Sequence, residues 1–164
     1  MALTIEDGTI VEDADSFATV TECRQYASSR GLSLPTEDAE VEQLLVLAWD
    51  YLFSIEDRFQ GYRWDEDQEG VFPRGDIYLF EKNIENTIPK ILKKGQCQLA
   101  VDANSNTLQA TGTGREVKKT KVGSLEKEYA TNGSVSPQIV PAAALTILDP
   151  LFKAGGGINL FATR

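Results

Sequence analysis

A repeat of apolar residues three or four positions apart constrains the fold of this chain more than any other feature. Its members are Val41, Leu44, Leu45, Ala48, Trp49 and Leu52. This spacing predicts an α-helix with a continuous apolar stripe. Thr36 and the acids at residues 37 and 38 precede the stripe, and acids in a first turn interact favourably with the helix dipole. Further apolar residues, Val46, Leu47, Tyr51 and Phe53, widen the stripe, so we expect this helix to lie between other helices or between subunits.

Three more helices are predicted around it. Ser16 is a candidate N-cap for a helix that runs to about Arg30, and Gly31 would follow its end. Pro89 suits the first turn of a helix that fades near residue 104, and Pro141 begins a short helix over 141–152. The fold class is therefore mainly α: a small helical bundle with a long ordered loop, a β-hairpin and an extended C-terminal arm.

The stretch 115–129 alternates polar and apolar residues on both sides of Gly123-Ser124, which predicts a hairpin with a two-residue loop. In that register Lys121 faces Glu126 and Lys119 faces Glu128. Opposite charges across a ladder help to specify the register. We divide the chain into a helical body, 1–106, and a second region, 107–164, that holds the hairpin, the short helix and the arm.

Residues 60–80 have no helical period, and a loop of this length is usually functional. We expect Tyr62, Trp64 and Phe72 to anchor the loop by packing back on the bundle. Together with Trp49 and Arg74 they form the set of residues predicted to anchor either this loop or a neighbouring subunit. Arg74 is predicted to pair with a carboxylate. The acids at 65, 67 and 69 superficially resemble the start of a calcium loop, but position twelve is an aspartate, so we favour a solvated acidic loop.

Composition restricts the chemistry. The chain has no histidine and a net charge of −9, from 25 acids and 16 bases. The lack of histidine excludes most zinc, haem and His-based triad sites, so we expect no enzyme, no metal and no cofactor. Cys23 and Cys97 are better interpreted as buried thiols than as a disulfide. The longest apolar run is too short for a bilayer, and the N-terminal residues do not resemble a secretion signal.

An apolar tail follows the glycines at 155–157, where tails are normally polar. We expect it to dock on another surface, the alternative being that it folds back on its own bundle. The residues of this candidate docking arm are Leu151, Phe152, Ile158, Leu160 and Phe161.

Six short segments, in order, resemble small head–tail connector (adaptor) proteins of tailed phages, a family also labelled DnaT-like and single-stranded-DNA-binding. They begin with 15–20 (DSFATV), 48–52 (AWDYL) with 58–59 (RF), and 70–75 (GVFPRG). They continue with 88–89 (IP), 121–126 (KVGSLE) and 151–157 (LFKAGGG). Members similar to this chain usually have tryptophan where it has Phe72.

The resemblance implies a structural virion protein, made in the host cytoplasm and located at the head–tail junction. It would form a homo-oligomeric ring, commonly of twelve copies, beneath the portal protein and hold the stopper or tail completion protein. DNA would be passing cargo, no membrane would be involved, and the arm would reach the portal. The alternative follows the family label literally: a replication accessory protein that binds single-stranded DNA. The net charge of −9 favours the connector, because phosphate binding relies on lysine and arginine.

Overall fold

The computed structural model describes residues 3–105, 108, 118–122, 125–129 and 140–153. Its helices are α1 (Val20–Ser28), α2 (Asp38–Ser54), α3 (Lys90–Ser105) and α4 (Ala142–Leu148), with short 3-10 turns at Glu56–Arg58 and Asp149–Leu151. Helix α3 packs against each of the other three helices and lies at the centre of the bundle. The predicted fold class, mainly α with minor β structure, is confirmed.

Helix α1 begins later than predicted. Its N-cap is Thr19, which forms a capping box with Glu22, and Ser16 lies in extended chain before the helix. The reason is a long-range bond: the buried Ser16 hydroxyl accepts a hydrogen bond from Gln96 Nε2 (3.1 Å). Gln96 Oε1 in turn accepts the backbone N–H groups of Phe17 (2.9 Å) and Ala18 (3.0 Å). A buried amide in α3 therefore holds this strand-like segment in place.

Helix α2 carries the predicted stripe, which is buried at Val41, Leu45, Ala48 and Leu52. The wider apolar surface is only partly covered. Leu47 is 51% exposed and Phe53 is 50% exposed. The helix is thus packed on its stripe and open to solvent on part of its other side.

Helices α3 and α4 approach each other closely at Gly95. A Cβ atom at residue 95 would overlap the side chain of Leu148. The short helix predicted over 141–152 is present, as α4 followed by the 3-10 turn that contains Pro150.

The assignment of Leu151 and Phe152 to a docking arm is wrong. Leu151 is fully buried and Phe152 is 5% exposed. Phe152 forms an antiparallel bridge with Phe59, and their ring centroids are 5.1 Å apart. Burying an aromatic ring stabilises the fold by roughly 1.5–3 kcal/mol, so these side chains stay in the core. Ile158, Leu160 and Phe161 lie outside the described residues.

The stretch 60–83 is ordered by two small antiparallel ladders. In the first, β1 (Tyr62–Arg63) pairs with β2 (Arg74–Gly75), and in the second, β3 (Tyr78–Leu79) pairs with β4 (Lys82–Asn83). Phe72 is buried as predicted, but Tyr62 is 62% exposed and Trp64 is 43% exposed. These two rings therefore do not pack in the core of the bundle, and the buried Phe72 and the polar contacts of Arg74 hold the loop instead. That Tyr62 or Trp64 anchors a neighbouring subunit stays a prediction.

The strands β5 (Lys118–Val122) and β6 (Leu125–Tyr129) form the predicted hairpin. Lys119 is opposite Glu128 and Lys121 is opposite Glu126 in the backbone register, which confirms the predicted pairing. Across the described part of the chain, no helix has the length and apolar composition needed to cross a bilayer.

Candidate nucleic-acid interface

A groove of about 340 Å³ lies between α1 and the start of α3. Its cationic side chains are Arg30, Lys90, Lys93 and Lys94. Glu22 is the one acid among the groove-lining residues that the structure describes. The groove is therefore locally basic although the whole chain carries a net charge of −9.

The three lysines of the groove lie at the N-terminal end of α3. Residues 90, 93 and 94 are spaced so that their side chains share one face of the helix. They lie in its first turns, where the helix dipole favours acids, and the first turn contains no acid. Cations at a helix N-terminus oppose the dipole, so stability alone does not account for them. The dipole and the lysines would, however, act together on a bound anion.

Arg30 reaches the groove from the end of α1. Its guanidinium carbon lies 3.8 Å from the centre of the Tyr26 ring. Its Nη1 atom donates to the Tyr26 carbonyl oxygen (3.2 Å) and to the Ser29 hydroxyl (2.9 Å). Tyr26 is itself held by a hydrogen bond from its hydroxyl to Gln98 Oε1 (2.8 Å). The guanidinium is thus positioned by stacking and hydrogen bonds while the residue remains exposed.

Glu22 links the two helices across the groove. Lys93 Nζ donates to Glu22 Oε1 at 3.1 Å. Burial acts to raise the pKa of the Glu22 carboxyl, but hydrogen bonds from the Thr19 backbone and from Lys93 lower that pKa on balance. The carboxylate therefore stays ionised, and it neutralises Lys93 more than Lys90 or Lys94. Those two lysines are exposed and carry the positive potential of the groove.

Beneath the groove, Cys23 and Cys97 are both buried and both free. A hydrogen bond with Cys23, together with burial, raises the pKa of the Cys97 thiol. Cys97 therefore stays protonated and behaves as a small core side chain. The interpretation of these residues as buried thiols is confirmed. In the part of the chain that the structure describes, no three His, Cys, Asp or Glu side chains converge as ligands for a metal.

The other predicted site residues lie elsewhere, around the 60–80 loop. Arg74 is 6% exposed and, as predicted, pairs with a carboxylate: its Nη1 donates to Glu56 Oε1 (3.2 Å). Arg63 Nε donates to the same oxygen at 2.7 Å. The Arg63 hydrogen bond, with Arg74 behind it, lowers the pKa of Glu56. Trp49 lies under Gly70, so close that a Cβ there would overlap the indole. This cluster holds the loop together.

Sequence reasoning did not find the groove. The spacing of the three lysines and the lack of an acid in the first turn of α3 can be read from the sequence, and this pattern indicates a basic face on the helix. Arg30, however, is 60 or more residues away, and only the packing of α1 on α3 brings it to them.

Comparisons with known proteins gave a single kind of match. No curated protein and no solved structure matched the chain. A family model described as "Putative DnaT-like ssDNA binding protein" matches residues 1–164. Since that match spans the whole sequence, the chain belongs to this DnaT-like family.

Proposed function

We propose that this protein binds single-stranded DNA through the groove between α1 and α3. The observation that carries the proposal is the presence of Arg30, Lys90, Lys93 and Lys94 around one groove of an otherwise acidic chain. The family description supports it. The family label taken literally implies the same role. The net charge of −9 is compatible with it, because a phosphate interacts most strongly with the charges nearest to it.

The chemistry of the groove sets the expected affinity. Lys90 and Lys94 are one turn apart, about 5–6 Å between Cβ atoms, and would contact neighbouring phosphates. With Arg30 and a partly neutralised Lys93, about three phosphates would be contacted, so log K should fall with log salt with a slope of about −2 for a single strand. The net charge of −9 repels DNA at longer range, so binding should be weak at physiological salt.

The test is fluorescence anisotropy of a labelled 20-nucleotide oligo(dT) at several salt concentrations, with duplex DNA of the same length in parallel. Lys94→Gln should weaken binding at low salt. It should also make the slope of log K against log salt less negative by about 0.7, the value expected for the loss of one phosphate contact. Lys82→Gln is the matched control. Lys82 is exposed and lies outside the groove, and its substitution removes the same charge. No salt-dependent binding, or equal losses in the two variants, would contradict the proposal.

A connector at the head–tail junction of a tailed phage is the second candidate function. The specific observation that favours it is a mainly apolar cleft of about 410 Å³ beside α2, with Leu3, Val46 and the half-exposed Leu47 in its lining and polar residues at its edge. Such a cleft suits contacts between copies in a ring. In this role the portal protein and a stopper or tail completion protein would be the partners, and the acidic surface would let DNA pass.

Quantitative mass spectrometry of virions from a phage that encodes this chain tests the second candidate. A ratio near one copy per portal subunit would support it. Absence from the particle would rule it out and leave the DNA-binding proposal as the one to pursue.

A further inference from the structure

The two ladders of residues 62–83 expose large aromatic side chains. Tyr62, Trp64, Tyr78 and Phe80 are 62%, 43%, 52% and 80% exposed, and we call them the aromatic surface. Tyr62 lies on β1, and Trp64 directly follows the end of that strand. Gln60 Oε1 accepts the backbone N–H of Tyr78 (3.2 Å), which ties the second ladder to the start of the first.

The tip of the second ladder breaks the usual rule for such turns. Phe80 and Glu81 form the two-residue loop between β3 and β4, with φ of 51° and 66°. Positive φ at both positions is the signature of a type I′ turn, for which Asn-Gly is strongly preferred. Phenylalanine is bulky and rarely adopts this left-handed conformation. The backbone is thus strained at Phe80, whose side chain is 80% exposed, at a position where a small polar residue would fold better.

The exposed charges in the segment that carries the aromatic surface are mostly negative. Between residues 62 and 86 the exposed base is Lys82, because Arg74 is buried and Arg63 is paired with Glu56. The exposed acids of the same stretch are Asp65, Glu66, Asp67, Glu69, Asp76, Glu81 and Glu85. Exposed aromatics are enriched at protein interfaces, and their faces also attract lysine and arginine side chains.

We propose that the aromatic surface is a docking site for a lysine- and arginine-rich segment of a partner protein, with Phe80 as its central contact. Charge complementarity identifies the occupant: seven exposed acids would pair with its cations, while the four rings would pack on its apolar stems. The same acids make the surface unsuitable for DNA. None of the four rings lines the basic groove, so the proposal is independent of single-strand binding.

The experiment uses the full-length protein and a fluorescein-labelled octa-arginine peptide, with anisotropy measured at 150 mM salt. Phe80→Asn changes no charge and suits the turn better, so its melting temperature should equal or exceed that of the wild type. Its affinity for the peptide should fall at least tenfold. Lys94→Gln, in the groove, should leave peptide binding within twofold of the wild type, and Phe80→Asn should do the same for oligo(dT) binding.

A pair of charge variants separates this site from general attraction to an acidic protein. Glu66→Gln with Glu81→Gln removes two exposed acids at the surface, and Glu37→Gln with Glu40→Gln removes two exposed acids near the start of α2. The first pair should weaken binding several-fold more than the second. Equal losses in the two pairs, or unchanged affinity in Phe80→Asn, would overturn the proposal. Self-association of the wild type that Phe80→Asn abolishes in sedimentation equilibrium would overturn it too, since the occupant would then be a second copy.

Discussion

Gly95 of α3 lies directly against Leu148 of α4, and a methyl group at residue 95 would overlap the Leu148 side chain. Glycine within a helix normally costs about 1 kcal/mol relative to alanine. Here that cost is accepted because it allows the backbone of α3 to meet α4 at close range.

Gly95→Ala should therefore destabilise the protein, against the usual gain in helix propensity. Overpacking costs about 1–3 kcal/mol, so we expect a net loss of about 1 kcal/mol in the free energy of unfolding, measured by urea titration. Leu148→Val creates space at the contact, and the double variant should lose less than the sum of the two single losses. Strict additivity would show that the contact does not cause the effect.

Gln96→Met should be more damaging, because it removes a buried amide with four hydrogen bonds. Phe17 would lose the acceptor for its N–H group, and Leu45 would lose a donor to its carbonyl oxygen. Ala18 would keep the Ser16 hydroxyl as the second acceptor of its N–H group (3.2 Å). An unpaired buried group costs about 1–3 kcal/mol and each further lost hydrogen bond about 0.5–1.5 kcal/mol, so we expect a loss of about 3 kcal/mol. Gln43→Met, on the exposed side of α2, is the control and should change stability by less than about 0.5 kcal/mol in the same titration.

Glu56 should make stability depend on pH in the acid range. Its pKa is lowered in the folded state, first by Arg63, from an ordinary value of 4.5. The stabilisation is fully present above that ordinary value and is lost as pH falls through the lower folded pKa. Unfolding free energies measured from pH 7 to pH 3 should fall less steeply in Glu56→Gln than in the wild type. Parallel curves would contradict the prediction.

The same variant should also be less stable at neutral pH, because Arg74 would remain buried without its counter-charge. Breaking a buried ion pair costs roughly 3–5 kcal/mol, and the 23% exposure of the Glu56 side chain places the expected loss near the lower end of that range. The neutral-pH urea titration measures it. Asp50→Asn, an exposed acid on α2, removes the same charge and should leave stability nearly unchanged.

The Cys97 thiol should resist alkylation in the native protein. It is 2% exposed, and its pKa is raised by the hydrogen bond with Cys23 and by burial, so little thiolate is present or accessible at pH 8. Iodoacetamide labelling followed by mass spectrometry should proceed at least a hundredfold more slowly in native than in urea-unfolded protein. Rapid native labelling at residue 97 would show that α1 and α3 separate readily.

Features governed by neighbours in sequence were predictable. The apolar stripe of α2, the start of α3 after Pro89 and the backbone register that pairs Lys119 with Glu128 are of this kind. Each depends on interactions within a few turns or across one short loop, so the residue pattern carries the necessary information.

Errors arose where distant residues compete for the same group. Ser16 looked like an N-cap, but Gln96, 80 residues away, engages its hydroxyl. Phe152 was predicted to be part of an arm, but its ring packs against that of Phe59 in the core.

The sequence by itself therefore determined the helices, the hairpin and the acidic balance of this protein. Only the tertiary structure decided which aromatic rings are buried and which remain exposed, and only it brought Arg30 beside Lys90 and Lys94. The physical reason is that helix and turn formation depend on local backbone preferences. Burial and the local charge of a groove are set by which elements pack together, and that depends on the whole chain.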